Sequence, residues 1–231
     1  MRNLKGSAEG GPGVADRGPG PLAPSPQTPF TAAILAGGLS RRLGRDKAGL
    51  ILGGRPLACR VAEALAPLAR ETWLITNHPA LHLPLGLPLL TDLRPFQGPL
   101  GGLATAMFYA ATPWVLLAAA DAPFLQPVLV AAMLAQAGPR VRAVGCCTSR
   151  GVAPLPSLYS VKLLGSLQEF LKTERKVGRF LELCRPQLLP PEEVARLDPE
   201  GLSFLNINTP EELAGARSWL EKKEKTLTLA P

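Results

Sequence analysis

Thr31-Ala32-Ala33-Ile34-Leu35-Ala36-Gly37-Gly38-Leu39-Ser40-Arg41-Arg42-Leu43-Gly44-Arg45-Asp46-Lys47 joins a short apolar run to a glycine-rich, strongly basic segment. Thr31–Ala36 is apolar with no polar alternation, the pattern of a strand buried on both faces, and Gly37-Gly38 ends it in a tight loop. Strands of that kind belong to mostly parallel sheets, and the loop after such a strand lies at the carboxyl edge, where these folds bind ligands. Glycines let backbone N–H groups approach phosphate oxygens. Arg41, Arg42, Arg45 and Lys47 add four cations within seven residues, enough to neutralise a triphosphate. A sharp turn with a solvated basic face is the bland alternative, and the density of cations directly after a strand outweighs it. The spacing is neither that of a P-loop nor that of the GxGxxG dinucleotide fingerprint.

Working outward, apolar runs alternate with helical patterns. Pro56 stands at a helix start, with Leu57, Val61, Leu65 and Leu68 forming one apolar face. Strands are expected over Thr72–Thr76, Leu87–Leu90, Trp114–Ala120 and Val141–Cys146, and helices over Gly101–Ala111 and Pro127–Ala137. Further on, Leu155–Tyr159 and Phe204–Ile207 read as strands, and Leu163–Leu171 and Val177–Cys184 as helices. Thr209-Pro210-Glu211-Glu212 offers a capping residue, proline at the first helical position and acids in the first turn, a strong helix start. The pattern implies a single α/β domain, a mostly parallel sheet with helices on both faces. Residues 1–30 hold six Gly and six Pro and few large apolar side chains, so they are expected to form a flexible tail. The domain then spans 31–220, and 221–231 is a charged C-terminal tail.

The 231-residue chain is 46% hydrophobic and 19% charged, which excludes a mainly disordered protein. Its longest apolar runs fall well short of the roughly 18–20 residues that cross a bilayer, and the N-terminus lacks the apolar core of a signal peptide. A cytoplasmic protein without membrane contact is expected. The net charge of +7 favours an anionic partner. Aromatics make up only 5%, and nothing resembles a stacking platform or recognition helix, so a phosphorylated small molecule is expected rather than nucleic acid. The cysteines Cys59, Cys146, Cys147 and Cys184 form no CxxC and read as reduced thiols. Asp121 closes the apolar run Trp114–Ala120, where a carboxylate is costly unless it reaches solvent, a cation or a ligand. Its hard oxygens suit Mg²⁺, which takes one or two carboxylates together with substrate phosphates.

The Leu35–Lys47 segment resembles the LAGGxSxRMGxDK signature of the molybdenum cofactor guanylyltransferase family, with Leu43 in the Met position. Three further segments fit that family in order: Asp92 followed by Gln97–Gly102, Ala120–Phe124, and Asn206–Leu213. The resemblance covers about residues 31–217. It implies a fold of nucleotide-diphospho-sugar-transferase (Rossmann-like) type and transfer of GMP from GTP to the terminal phosphate of molybdenum-carrying molybdopterin. By resemblance, Leu35, Ala36 and Gly37 hold the guanine nucleotide, Lys47 contacts its phosphates, Asn77 and Asp92 bind nucleotide, and Asp121 takes magnesium. Asn206 and Asn208 fall on the pterin side. Lys47, Arg42 and Asp121 are thus the expected catalytic groups, with GTP and molybdopterin as substrates and other cofactor-assembly proteins as conceivable partners. Arg175, Lys176 and Arg179 offer charge to the pterin phosphate or simply line a solvated helix face. The sibling cytidylyltransferases resemble LAAGxSxRMGxPK; Gly37 and Asp46 at the differing positions favour guanine.

Overall fold

A computed structural model describes residues 28–36, 46–95 and 97–228, with the backbone alone for 224–228. The elements are β1 (Phe30–Leu35), β2 (Ile51–Leu52), β3 (Arg55–Pro56), α1 (Leu57–Leu65), β4 (Glu71–Ile75), α2 (Pro79–His82), β5 (Leu89–Leu90) and α3 (Pro99–Tyr109). They continue with β6 (Trp114–Ala119), α4 (Pro127–Ala135), β7 (Ala143–Thr148), β8 (Gly151–Ser160), α5 (Leu164–Phe170), α6 (Val177–Leu183), β9 (Gln187–Leu189), α7 (Pro191–Leu197) and α8 (Pro210–Thr228).

Seven strands form one sheet in the order β5-β4-β1-β6-β8-β7-β9. β5, β4, β1 and β6 are mutually parallel, and β9 runs parallel to β7, while β8 is antiparallel to both β6 and β7. The mostly parallel α/β architecture read from the sequence is the one observed. Alternation within each strand divides the core. Ala32 and Ile34 of β1 and Leu116 of β6 face α1, α4 and α7. Ala33, Val115 and Leu117 face α3, α5 and α6. Both sheet faces are therefore dry, which is why the strands carry no polar alternation. Leu116 is fully buried, and its truncation to alanine costs about 2–5 kcal/mol.

A third, smaller core lies outside the sheet. Leu52 and Leu57 meet Phe124, Leu202, Ile207 and Ala216, with Leu213, Trp219 and Leu220 packed against them. It ties the short β2–β3 hairpin to α8. The hairpin turns through Gly53-Gly54, both at positive φ (55° and 73°), a conformation that side chains with a Cβ rarely adopt.

Several readings change. Phe204–Ile207 is not a strand: Leu202–Phe204 is a turn of 3-10 helix and the rest is loop. Its apolar residues were selected by the third core, where Leu202 and Ile207 are buried, and not by a pleated sheet. The β2–β3 hairpin, β9 and α7 are additions to the expected elements. A Gly-Gly pair between short apolar segments signals the first, and Pro191-Glu192-Glu193 repeats the helix-start pattern of Pro210. β8 is twice as long as the expected strand, covering Gly151–Ser160. Phe30, placed in the tail by composition, is fully buried at the start of β1. α8 continues past position 220 to Thr228, so the charged segment is helical that far. Among the described residues no helix is long and apolar enough to cross a membrane.

Candidate active site

Four parallel strands deliver the candidate residues to one edge of the sheet. Leu35 ends β1 and Ala36 follows it, Asn77 lies just after β4, Asp92 just after β5, and Asp121 just after β6. The edge is stitched together by backbone bonds. Ala36 N–H donates to the Ile75 carbonyl at 2.9 Å, and Ala120 N–H donates to the Leu35 carbonyl at 3.1 Å.

Lys47 forms the centre of one cluster. Its Nζ donates to Asp121 Oδ2 at 2.9 Å and to Asn208 Oδ1 at 2.5 Å. The Lys47 and Asp121 side chains are 21% and 18% exposed, accessible to a ligand yet sheltered enough for their attraction to exceed that of a surface pair. Asp121 thus already has a cation from within the chain.

Asn208 is placed by the start of α8. Glu212 Oε2 accepts from Asn208 N–H at 2.5 Å and from Thr209 N–H at 3.0 Å, while Thr209 Oγ1 accepts from Glu212 N–H at 3.2 Å. This is a capping box, and it fixes the loop as well as the helix. Ile207 N–H donates to the Asp121 carbonyl at 2.8 Å, tying the same loop to the end of β6. Asn206 is exposed; only its carbonyl enters the cluster, accepting weakly from Asn208 Nδ2 at 3.5 Å.

A second cluster lies beyond β4. Asn77 Nδ2 donates to Asp92 Oδ2 at 2.8 Å, whereas Asp92 Oδ1 is buried and has no hydrogen-bond partner. Burial raises the Asp92 pKa above the usual carboxylate value, and the bond from Asn77 opposes that rise only in part. Gly102 of α3 makes the close approach here possible. A Cβ in its place would lie 2.6 Å from Leu35 Cδ2 and 3.1 Å from Ile75 Cγ2, so any larger residue would have to push the Leu35 side chain aside where α3 meets the ends of β1 and β4.

Gly37 and Arg42, with Arg41 and Arg45, lie outside the described residues. Arg179 is exposed and pairs with Glu182 at 2.9 Å, and the backbone N–H groups of Arg175 and Lys176 donate to Glu174. None of these three touches either cluster. A cavity of about 450 Å³ lined by Trp114, Arg142 and Lys162 opens at the amino ends of β1 and β6 and takes in no candidate residue. Among the described residues no three His, Cys, Asp or Glu side chains converge as a metal site. Asp121 therefore offers one carboxylate beside the amide oxygen of Asn208. That donor set fits Mg²⁺, which fills most of its shell with phosphate oxygens and water, and would not suit an all-protein cage.

A mixed sheet presenting a lysine–carboxylate–amide cluster at the carboxyl ends of its parallel strands places the chain among the α/β nucleotidyltransferases. Residues 32–190 match the family described as MobA-like NTP transferase domain. The chain belongs to that family. It is 37% identical over 212 residues to a molybdenum cofactor guanylyltransferase of Rhizobium meliloti, covering 86% of this chain and 95% of the relative. A protein of the same name from Cereibacter sphaeroides is 39% identical over 196 residues, with 82% and 96% covered. Among solved structures, molybdopterin-guanine dinucleotide biosynthesis protein A from Archaeoglobus fulgidus superposes with a TM-score of 0.73 at 26% identity, over 83% of this chain and 99% of that one.

Proposed function

We propose that this chain transfers GMP from GTP to the terminal phosphate of molybdenum-carrying molybdopterin, yielding the guanine dinucleotide form of the cofactor and pyrophosphate. The observation that carries the reading is the gathering of Lys47, Asp121 and Asn208 at the strand edge of a chain with guanylyltransferase relatives over most of its length.

The acceptor phosphate is already a nucleophile at neutral pH, so the site needs no base to activate it. One of its oxygens attacks the α-phosphorus of GTP. A new P–O bond forms, the bond to the β-phosphate oxygen breaks, and pyrophosphate leaves with that electron pair. What the chain supplies is alignment and charge. Lys47 exchanges its internal acceptors for phosphate oxygens and neutralises charge growing on the leaving group. Arg42, by its place in the signature, would add to it. Asp121, with Asn208 beside it, would hold Mg²⁺, which neutralises triphosphate charge when bound. Leu35, Ala36 and Gly37 line the nucleotide along the end of β1, with Asn77 and Asp92 as further contacts. The unpartnered Oδ1 of Asp92 seeks a donor, and the N–H groups of guanine are donors. Asn206 and Asn208 face the pterin half of the cleft. The enzyme acts on soluble substrates in the cytoplasm.

The test is calorimetric titration of the full chain with GTP, CTP and ATP in Mg²⁺, followed by turnover with molybdopterin. A site that leaves buried polar groups unpaired with the wrong base loses roughly 1–3 kcal/mol per group, so GTP is expected to bind at least about tenfold tighter than CTP. Equal affinities, or tighter CTP binding, overturn the guanine assignment.

A further inference from the structure

We propose that His82 is a positioning residue for Lys47, acting through Asp46; the inference rests on the reading of Lys47 as a phosphate contact. His82 ends the short helix α2 and is 1% exposed, although it belongs to neither cluster of the site. A histidine on an apolar patch is usually a packing residue, but both nitrogens of this one face polar groups. Nδ1 lies 2.8 Å from Thr76 Oγ1. That hydroxyl oxygen already accepts from His78 N–H at 2.9 Å, so its own proton is free to go to Nδ1. The tautomer that follows carries hydrogen on Nε2. Nε2 stands 3.0 Å from Asp46 Oδ1, off the axis of a directional hydrogen bond, so the contact is electrostatic attraction between an N–H dipole and a carboxylate.

The other oxygen of Asp46 accepts from Gly49 N–H at 2.9 Å, closing a turn over residues 46–49. Lys47 lies inside that turn. Its carbonyl accepts from Leu50 N–H at 3.1 Å, so its backbone is held by the turn. His82 meets the turn at Asp46, Lys47 extends from the turn to Asp121 and Asn208, and Thr76 ties the arrangement to the end of β4 beside Asn77. A long lysine stem is worth little to a phosphate unless its base is fixed, and a misplacement of about an ångström is costly in such sites. His82 supplies that fixation without touching substrate.

The experiment compares wild type, His82→Gln, His82→Leu, Asp46→Asn and the double variant His82→Leu/Asp46→Asn. GTP affinity is read by titration calorimetry, turnover by GTP consumption with molybdopterin, and folding by melting temperature. Glutamine can present an N–H near the position of Nε2, and His82→Gln is expected to stay within about threefold of wild type in GTP affinity. His82→Leu fills the space without the polar contact. It is expected to weaken GTP binding about tenfold and lower kcat, leaving KM for molybdopterin unchanged at a temperature where every variant is folded. The double variant is expected to be no worse than the weaker single one, since both break one link. If His82→Leu does not fold, Asp46→Asn breaks the same contact from the other side and is expected to weaken GTP binding about tenfold; wild-type GTP affinity in that variant overturns the positioning role.

Wild-type GTP affinity in His82→Leu, or losses that multiply in the double variant, overturn the positioning role alone. A wild-type chain that binds no GTP overturns the proposed function, and this inference with it.

Discussion

Asp121 and Asp92 stand at the ends of β6 and β5 on the same edge of the same sheet, and their surroundings differ. Asp121 is charge-compensated, with Lys47 at 2.9 Å and a loop pinned to its own carbonyl through Ile207. Asp92 has a neutral partner, Asn77, on one oxygen and nothing on the other, which is buried. One cluster is therefore paired within the chain, and the other keeps an unsatisfied buried acceptor. Unmet hydrogen-bonding capacity costs folding stability and gives discrimination, since a ligand that supplies the right donor recovers what folding gave up. On the proposed function, preformed charge beside the phosphates would serve catalysis, where reorganisation during the reaction is expensive.

The contrast can be broken most forcefully at Lys47. Lys47→Met removes the cation and leaves Asp121 alone; turnover is expected to fall by about 10²–10³-fold, comparable to loss of a principal donor to a developing oxyanion. Steady-state kinetics with GTP and molybdopterin check it. Asp121→Asn is expected to lower turnover at least about 100-fold and to move the Mg²⁺ dependence to higher concentration. Because Asp121 already pairs with Lys47, that substitution also costs about 1 kcal/mol of stability, readable as a lower melting temperature.

Asp92→Asn sharpens the other side. GTP affinity is expected to drop about tenfold while stability at neutral pH stays equal or rises, because a desolvated charge has been removed. The pH dependence has a definite sign. With its pKa raised by burial, Asp92 holds a proton in the folded chain at pH values where the unfolded chain has lost it. Its contribution to stability thus falls as pH rises from the ordinary carboxylate value through the raised one. Urea unfolding across that window should show this slope in wild type and lose it in Asp92→Asn.

Smaller effects remain at the periphery. Glu212→Ala opens the capping box and is expected to cost about 1 kcal/mol, with a modest rise in KM as Asn208 loses its anchor. Thiol alkylation is the mildest probe. Burial pushes Cys146 up to about 12 and Cys184 up to about 11, so both should resist iodoacetamide at neutral pH until the chain unfolds. Mass mapping of the modified peptides checks this.

Much of the sheet was legible in the local pattern of the sequence. Strands such as Trp114–Ala119 and, apart from the hydrogen-bonded Thr31, Phe30–Leu35 are apolar because both their faces are covered, a local signal of a global arrangement. The helix starts at Pro127 and Pro210 were legible for the same reason: proline at the first turn acts within its own few residues; the helix expected from Gly101 in fact begins two residues earlier, at Pro99. Asp121 stood out as a carboxylate closing an apolar run, and its position after β6 agrees with that reading. Elements of two or three residues, the β2–β3 hairpin and β9, carry too few side chains to show a period. Phe204–Ile207 misled because burial in a corner between loop and helix leaves the same apolar trace as burial in a sheet. Only the tertiary structure decided who partners whom: that Lys47 reaches Asn208 across 161 positions, that Asn77 spends its amide on Asp92, and that His82 backs the turn holding Lys47. Those contacts join residues distant in the chain, each bond depends on a few tenths of an ångström set by packing elsewhere, and no local pattern encodes such distances.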